Sequence, residues 1–122
     1  MEVDWVREVS TDGRLEKYKI SVVCHHLHFG DYHCVVTEMC GEAHIVWYFK
    51  GEIEKSQATA PLEVGNLLRF FRALEEKILE LNLPISFEAY GDDGYWEARF
   101  NLYSTIVKRL RARGFRKEVE MI

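Results

Sequence analysis

The C-terminal half of the chain constrains the fold most, because helical and strand patterns alternate along it. An amphipathic stretch begins behind Pro61, which suits the first turn of a helix, and it ends before Pro84. A short apolar segment from Ile85 to Ala89 follows, then a second amphipathic stretch from Trp96 to Leu110, and then an apolar segment that begins at Phe115. These patterns predict helix, strand, helix and strand in that order.

In both helical stretches the apolar residues recur every three or four positions. The first stripe consists of Val64, Leu67, Leu68, Phe71, Leu74, Ile78 and Leu81. The second consists of Trp96, Phe100, Tyr103, Val107 and Leu110. Each stripe predicts that one face of its helix packs on a sheet. Gly114 fits the left-handed cap that ends the second helix.

Four strand-like segments precede the first helix. They are Val3–Val9, Tyr18–Cys24, Tyr32–Met39 and Ala43–Lys50. Short polar turns separate most of them, which favours an antiparallel meander. We see no internal repeat or domain boundary, so the sequence predicts one α+β domain over residues 1–122, with the order ββββαβαβ and helices packed on the sheet.

Composition excludes several classes of protein. The chain is 48% hydrophobic and 13% aromatic, which predicts a packed core rather than disorder. Its apolar runs are too short to span a bilayer, so we expect no membrane partner. The acidic N-terminus lacks a secretory signal pattern and the three cysteines cannot all pair, so we expect reduced thiols and a cytoplasmic location. The net charge of −4 opposes general nucleic-acid binding.

Two short motifs accompany this order of elements. The segment Gln57-Ala58-Thr59-Ala60-Pro61-Leu62 precedes the first helix, and Leu110 stands four residues before Gly114-Phe115 at the end of the second. With these segments, the region from Ile20 to Phe115 resembles the core of the GNAT (N-acetyltransferase-like) superfamily. The resemblance implies a mixed sheet in which the pantetheine arm of acyl-CoA lies between the strands at Ile45–Phe49 and Ile85–Ala89.

The resemblance also implies a cofactor loop before the first helix, where backbone N–H groups bind the pyrophosphate of acetyl-CoA. The implied cofactor-binding residues are Gln57, Thr59, Leu62 and Glu63. Alanine and leucine stand where the family has glycines, and Pro61 removes one N–H donor. The loop is therefore a degraded version of the family's loop.

The family's catalytic acid is a tyrosine near the end of the second helix, but Leu110 occupies that position here. Tyr103, two helical turns earlier, is the implied candidate acid, and its alternative interpretation is a core aromatic. For the general base we select Glu88, while Glu38 and His44 also lie on suitable strands.

All five histidines and all three cysteines lie within residues 24–44. Residues two apart on a strand share a face, so one metal ion could be held by Cys24, His26, His28 and Cys34. The spacing matches no standard zinc pattern. The other interpretation is that the cysteines fill the core and the histidines are solvated, and our primary expectation is no metal.

Six cations cluster at the end of the second helix: Lys108, Arg109, Arg111, Arg113, Arg116 and Lys117. They are a candidate nucleic-acid site, or alternatively a solvated helix end whose charges complement the helix dipole. The missing motif residues lead us to expect a GNAT-like domain without catalysis that binds a protein partner. The alternative is a minimal acyl-CoA-dependent N-acyltransferase that acetylates an amine.

Overall fold

A computed structural model describes residues 5–10, 22–29, 32–49, 64–89 and 96–122 of the 122-residue chain. The described strands are β1 (Trp5–Ser10), β2 (Val22–Phe29), β3 (Tyr32–Met39), β4 (Glu42–Phe49), β5 (Ile85–Phe87) and β6 (Val119–Met121). The described helices are α1 (Val64–Leu81), between β4 and β5, and α2 (Trp96–Ala112), between β5 and β6. The fold is α+β, as predicted.

The described strands form one mixed sheet in which they lie side by side in chain order, from β1 to β6. Strands β1 to β4 pair antiparallel, whereas β5 pairs parallel with both β4 and β6. The β4–β5 register runs from Ala43 opposite Ile85 to Ile45 opposite Phe87. One further bond follows, from the Glu88 N–H to the Ile45 carbonyl at 3.1 Å. Strand β4 continues to Phe49, so β5 pairs with only its first half.

Strand β2 lies later in the chain than the alternation of residues 18–24 predicts. It begins at Val22 and runs through the Cys-His-His-Leu-His segment to Phe29, because each of those residues is paired with β1, β3 or both. The last strand also begins later than predicted, at Val119 rather than Phe115. Phe115 is instead a buried loop residue, 2% exposed. Residues 18–21 and Val3 lie outside the described residues.

Residues with positive φ angles mark three places where elements end. Cys40 and Gly41, with φ of 54° and 76°, form the two-residue turn between β3 and β4, the geometry typical of tight hairpins. Asn82, with φ of 49°, ends α1. Gly114, with φ of 93°, ends α2 as predicted: its N–H donates to the Arg111 carbonyl, and the Phe115 N–H donates to the Leu110 carbonyl. That bond pair is a Schellman cap.

The core lies between one face of the sheet, which we call the helix face, and the two helices. Its strand residues are Leu27, Cys34, Val36, Ala43, Ile45, Trp47, Ile85 and Phe87. From α1 come Phe71, Leu74 and Ile78, which confirms these positions of the predicted stripe, and Phe70, which the stripe did not include. The predicted face of α2 is wrong at its start, because Trp96 is 41% exposed. The buried line runs through Arg99, Tyr103, Ile106 and Leu110.

Arg99 explains why the buried face of α2 differs from the predicted one. It is only 2% exposed, and its Nε–H donates to the Ala89 carbonyl at 2.7 Å, where β5 has ended. The guanidinium thus satisfies a carbonyl that would otherwise lack a partner, which offsets the cost of burying the charge. Helices α1 and α2 are joined by a second buried group, Glu75, whose Oε1 accepts from Arg109 Nε at 2.5 Å.

Candidate functional site on the open face of the sheet

The sheet face opposite the helices, which we call the open face, carries most of the chemically active side chains. Side chains alternate between the two faces along each strand, so every residue next to a core residue of a strand lies on the open face. Two of its cross-strand rows span four strands or more. One consists of Val6, His26, Val35 and Val46. The other consists of Glu8, Cys24, Thr37, His44, Ser86 and Glu120. None of the described helices packs on this face.

Three imidazoles stack on the open face. His28 lies directly opposite His33, with ring centroids 4.1 Å apart, and the rings of His26 and His33 are 5.2 Å apart. His26 Nδ1 and His33 Nε2 share a hydrogen bond of 3.0 Å. Desolvation lowers the pKa of His33, and the neighbouring imidazoles of His28 and His26 lower it further. The stack therefore favours the neutral form of His33.

The proposed metal set of Cys24, His26, His28 and Cys34 does not come together. Cys34 is fully buried on the helix face, and burial raises the pKa of its thiol. Cys24 lies on the open face with its Sγ 3.8 Å from Thr37 Oγ1. Within the ranges that the structure describes, no three His, Cys, Asp or Glu side chains form a group that could hold a metal ion.

The fourth open-face histidine, His44, links strands β4 and β5. Its Nδ1 lies 2.8 Å from Ser86 Oγ, and its Nε2 lies 3.4 Å from Glu88 Oε2. Because the carboxylate can only accept, Nε2 is the nitrogen that carries the proton and Nδ1 is left to accept from the serine hydroxyl. The result is a chain from hydroxyl to imidazole to carboxylate.

Ser86 also lines a cleft of about 470 Å³ at the N-terminal ends of β4, β5 and β6. The cleft is lined by Glu42, Pro84, Ile85, Ser86, Arg111, Glu118, Val119 and Glu120. Three of these residues are glutamates and one is a cation, so the cleft is acidic. It therefore favours neutral or cationic small molecules over anions.

Tyr103, the candidate acid, lies on the helix face. It is 0% exposed, and its ring stacks on Phe87 with centroids 4.5 Å apart. Its hydroxyl has no hydrogen-bond partner among the described residues. Burial raises its pKa, and the nearby Cys34 adds to that shift. Glu88, the candidate base, is 51% exposed and reaches His44 on the open face. The two candidates therefore lie on opposite faces of the sheet.

The implied cofactor-binding residues Gln57, Thr59, Leu62 and Glu63 lie outside the described residues.

Most of the basic cluster has partners within the fold. Arg109 pairs with Glu75, and Arg113 donates to Glu76 at 2.6 Å. The other two arginines donate to backbone carbonyls around the end of α2. For Lys108 and Lys117, no side-chain hydrogen bond or ion pair falls within the described ranges, and both residues are exposed. The predicted solvated helix end therefore fits these contacts better than a phosphate-binding patch does.

Sequence reasoning missed Ser86 and misjudged His25. His25 is 6% exposed and lies on the helix face, with its Nε2 2.5 Å from Glu38 Oε2. That contact also accounts for Glu38, one of the candidate bases. Ser86 carries no motif around it, and only the parallel register between β4 and β5 brings it to His44.

Comparison with known proteins gives no relative for this chain. No protein-family model matches it, and neither the curated proteins nor the solved structures contain a significant match. In the described part of the chain, neither helix is long and apolar enough to cross a membrane.

Proposed function

We propose that this chain is a GNAT-like domain that has lost acyl transfer and acts by binding a protein through the open face of its sheet. The observation that carries the proposal is the position of Tyr103. An acid sealed in the core on one face and a base, Glu88, on the other cannot act on one substrate. The degraded cofactor loop points in the same direction.

The GNAT-like part of the proposal is supported by the strand pair that the family would open for pantetheine. Strands β4 and β5 are parallel neighbours, each is followed by a helix, and their pairing stops after Ile45 and Phe87 while β4 continues to Phe49. Parallel strands whose pairing stops early leave room between their C-terminal halves, where open α/β sheets usually place ligands.

The binding part is supported by exposed apolar side chains on the open face. Val6, which lies directly opposite His26 of the imidazole stack, is 58% exposed, and Met39, at the other end of β3, is 44% exposed. Glu8, Glu88 and Glu120 lie on the same face, whereas the arginines of α2 are engaged within the fold. An apolar and imidazole centre with acidic neighbours suits a protein with an apolar patch and basic surroundings, and it disfavours nucleic acid.

The partner is tested by affinity capture with matched variants. We expect Val6→Glu to abolish capture, because it places a charge at an exposed apolar position without disturbing the core. Arg72→Glu, on the exposed side of α1, is the control and should capture as the wild type does. If no protein is retained by the wild type, or if both variants retain the same protein equally, the binding proposal is wrong.

A second candidate, an N-acyltransferase, is favoured only by the early end of the β4–β5 pairing. The melting temperature measured with and without 1 mM acetyl-CoA distinguishes the acyltransferase from the protein-binding domain. A dissociation constant of about 10 µM would stabilise the fold by about 2.7 kcal/mol, a rise in Tm of roughly 10 °C for a domain of this size. We expect no rise, and a rise of this size would restore the acyltransferase.

A further inference from the structure

The contacts of Ser86 differ from those of an ordinary strand serine. Its hydroxyl lies 2.8 Å from an imidazole nitrogen, and the other nitrogen of the same ring faces a carboxylate at 3.4 Å. This arrangement fixes the tautomer of His44 so that its free lone pair points at the hydroxyl proton. A base positioned in this way is the usual means of activating a serine at neutral pH.

The sheet places two of the three groups, and a backbone bond to the sheet places the third. His44 and Ser86 are directly opposite in the β4–β5 register. Glu88 lies two residues after Ser86, just past the end of β5, and its carboxylate reaches the same imidazole. Glu88 has only just left β5, and its N–H is bonded to Ile45, so its carboxylate starts from a fixed backbone. Groups held by a sheet are positioned more precisely than groups on loops.

A small molecule can reach Ser86. Ser86 lines the acidic cleft of about 470 Å³, a volume within the usual range for small-ligand sites. Arg111 lines the same cleft, and two of its bonds, to the carbonyls of Phe115 and Lys117, come from a single nitrogen. A guanidinium has five N–H donors, so it keeps donors for a carbonyl oxygen that becomes negative.

We propose that Ser86, His44 and Glu88 form a nucleophilic site that accepts acyl groups from small neutral or cationic carboxylic esters. Ser86 Oγ attacks the ester carbonyl while its proton passes to His44 Nδ1. The ester C–O bond then breaks, the proton leaves with the alcohol, and the acyl group remains on Ser86. Water, deprotonated by the same nitrogen, attacks the acyl-serine and releases the carboxylic acid and the free hydroxyl.

Two of these residues would be catalytic and the third a positioning residue. Ser86 forms the bond and His44 moves the proton, whereas Glu88 acts only by orienting the ring. This activity does not depend on the GNAT-like proposal or on a protein partner, because it uses only His44, Ser86 and Glu88 and the cleft that Arg111 also lines.

The test is covalent labelling of the full chain with a fluorophosphonate probe, followed by intact-mass and peptide mass spectrometry. We expect one equivalent of probe on Ser86 and none on the Ser86→Ala variant. Ser104, a partly exposed serine of α2, provides the matched control: Ser104→Ala should label as the wild type does. Absence of labelling in the wild type, or equal labelling of the Ser86→Ala variant, overturns the proposal.

The base and the positioning residue are tested by labelling rates. His44→Gln should slow labelling about 100-fold or more and remove the rise of the rate with pH, because a general base typically contributes 10²–10⁴-fold. Glu88→Gln should slow it about 10-fold and keep that rise. A merely structural role for His44 would leave the pH profile of the remaining rate unchanged, which contradicts the mechanism. Circular dichroism of each variant checks that the fold is retained.

Discussion

Replacing Tyr103 with phenylalanine separates a core residue from a catalytic one. The side chain is 0% exposed, and its hydroxyl has no partner among the described residues. An unsatisfied buried hydroxyl costs about 1–3 kcal/mol, whereas a phenylalanine ring would keep the stack on Phe87. We therefore expect Tyr103→Phe to leave the free energy of unfolding unchanged or to raise it by about 1–2 kcal/mol.

Tyr103→Ala provides the matched comparison, since it removes the ring as well. Loss of a fully buried aromatic side chain costs about 3–5 kcal/mol, of which about 0.5–1.5 kcal/mol is the lost stack. Urea unfolding followed by tryptophan fluorescence measures both variants. If Tyr103→Phe instead loses more than about 1 kcal/mol, the hydroxyl has a hydrogen-bond partner. The interpretation of Tyr103 as core packing alone would then be wrong.

Three further predictions concern buried and paired charges. Burial raises the pKa of Cys34 and Tyr103, so stability should fall as pH rises above about 8.5 for the thiol and above about 10 for the phenol, by up to about 1.4 kcal/mol per pH unit and group. Urea midpoints from pH 8 to 11 measure this fall, and Cys34→Ala should make it shallower; an unchanged slope contradicts the prediction. The pKa of His33 is lowered by burial first and by its neighbouring imidazoles second, so the folded chain binds fewer protons than the unfolded one. The stability that His33 contributes above about pH 6.5 should therefore be lost as the pH falls below that value. His33→Gln should flatten the urea midpoints between pH 7 and 5, and a fall as steep as in the wild type contradicts this. Arg109→Met should destabilise more than Glu75→Met, because it leaves a carboxylate that is 1% exposed without its closest partner; equal thermal midpoints would refute that ranking.

Local signals in the sequence were sufficient for the helices and their ends. The helix boundaries follow from signals that act over a few residues, such as Pro84 after the first helix and the left-handed cap predicted at Gly114, whose positive φ the structure confirms. The face of α2 could not be predicted, because it depends on Arg99 meeting the carbonyl of Ala89, a contact between different elements. A hydropathy pattern predicts that an arginine is exposed. Arg99 is buried because the carbonyl at the end of β5 accepts its hydrogen bond.

The candidate site depends on register, and alternation alone does not determine register. Polar residues at every second position of β4 and β5 are visible in the sequence, but nothing in it indicates that His44 lies opposite Ser86. A shift by one residue would have placed His44 beside Ile85 or Phe87 and turned it to the other face. The three-residue pairing of β4 with β5 therefore decides whether a hydroxyl, an imidazole and a carboxylate meet at all.

The two activities proposed for the open face occupy different parts of it. Val6 is on β1 and Ser86 is on β5, four strand spacings away, which is about 19 Å at roughly 4.8 Å per strand. Mutations this far apart normally act independently. Val6→Glu should therefore abolish partner capture and leave fluorophosphonate labelling intact, and Ser86→Ala should do the reverse. If either variant abolishes both, the partner extends across the whole face to the cleft, and one site rather than two occupies it.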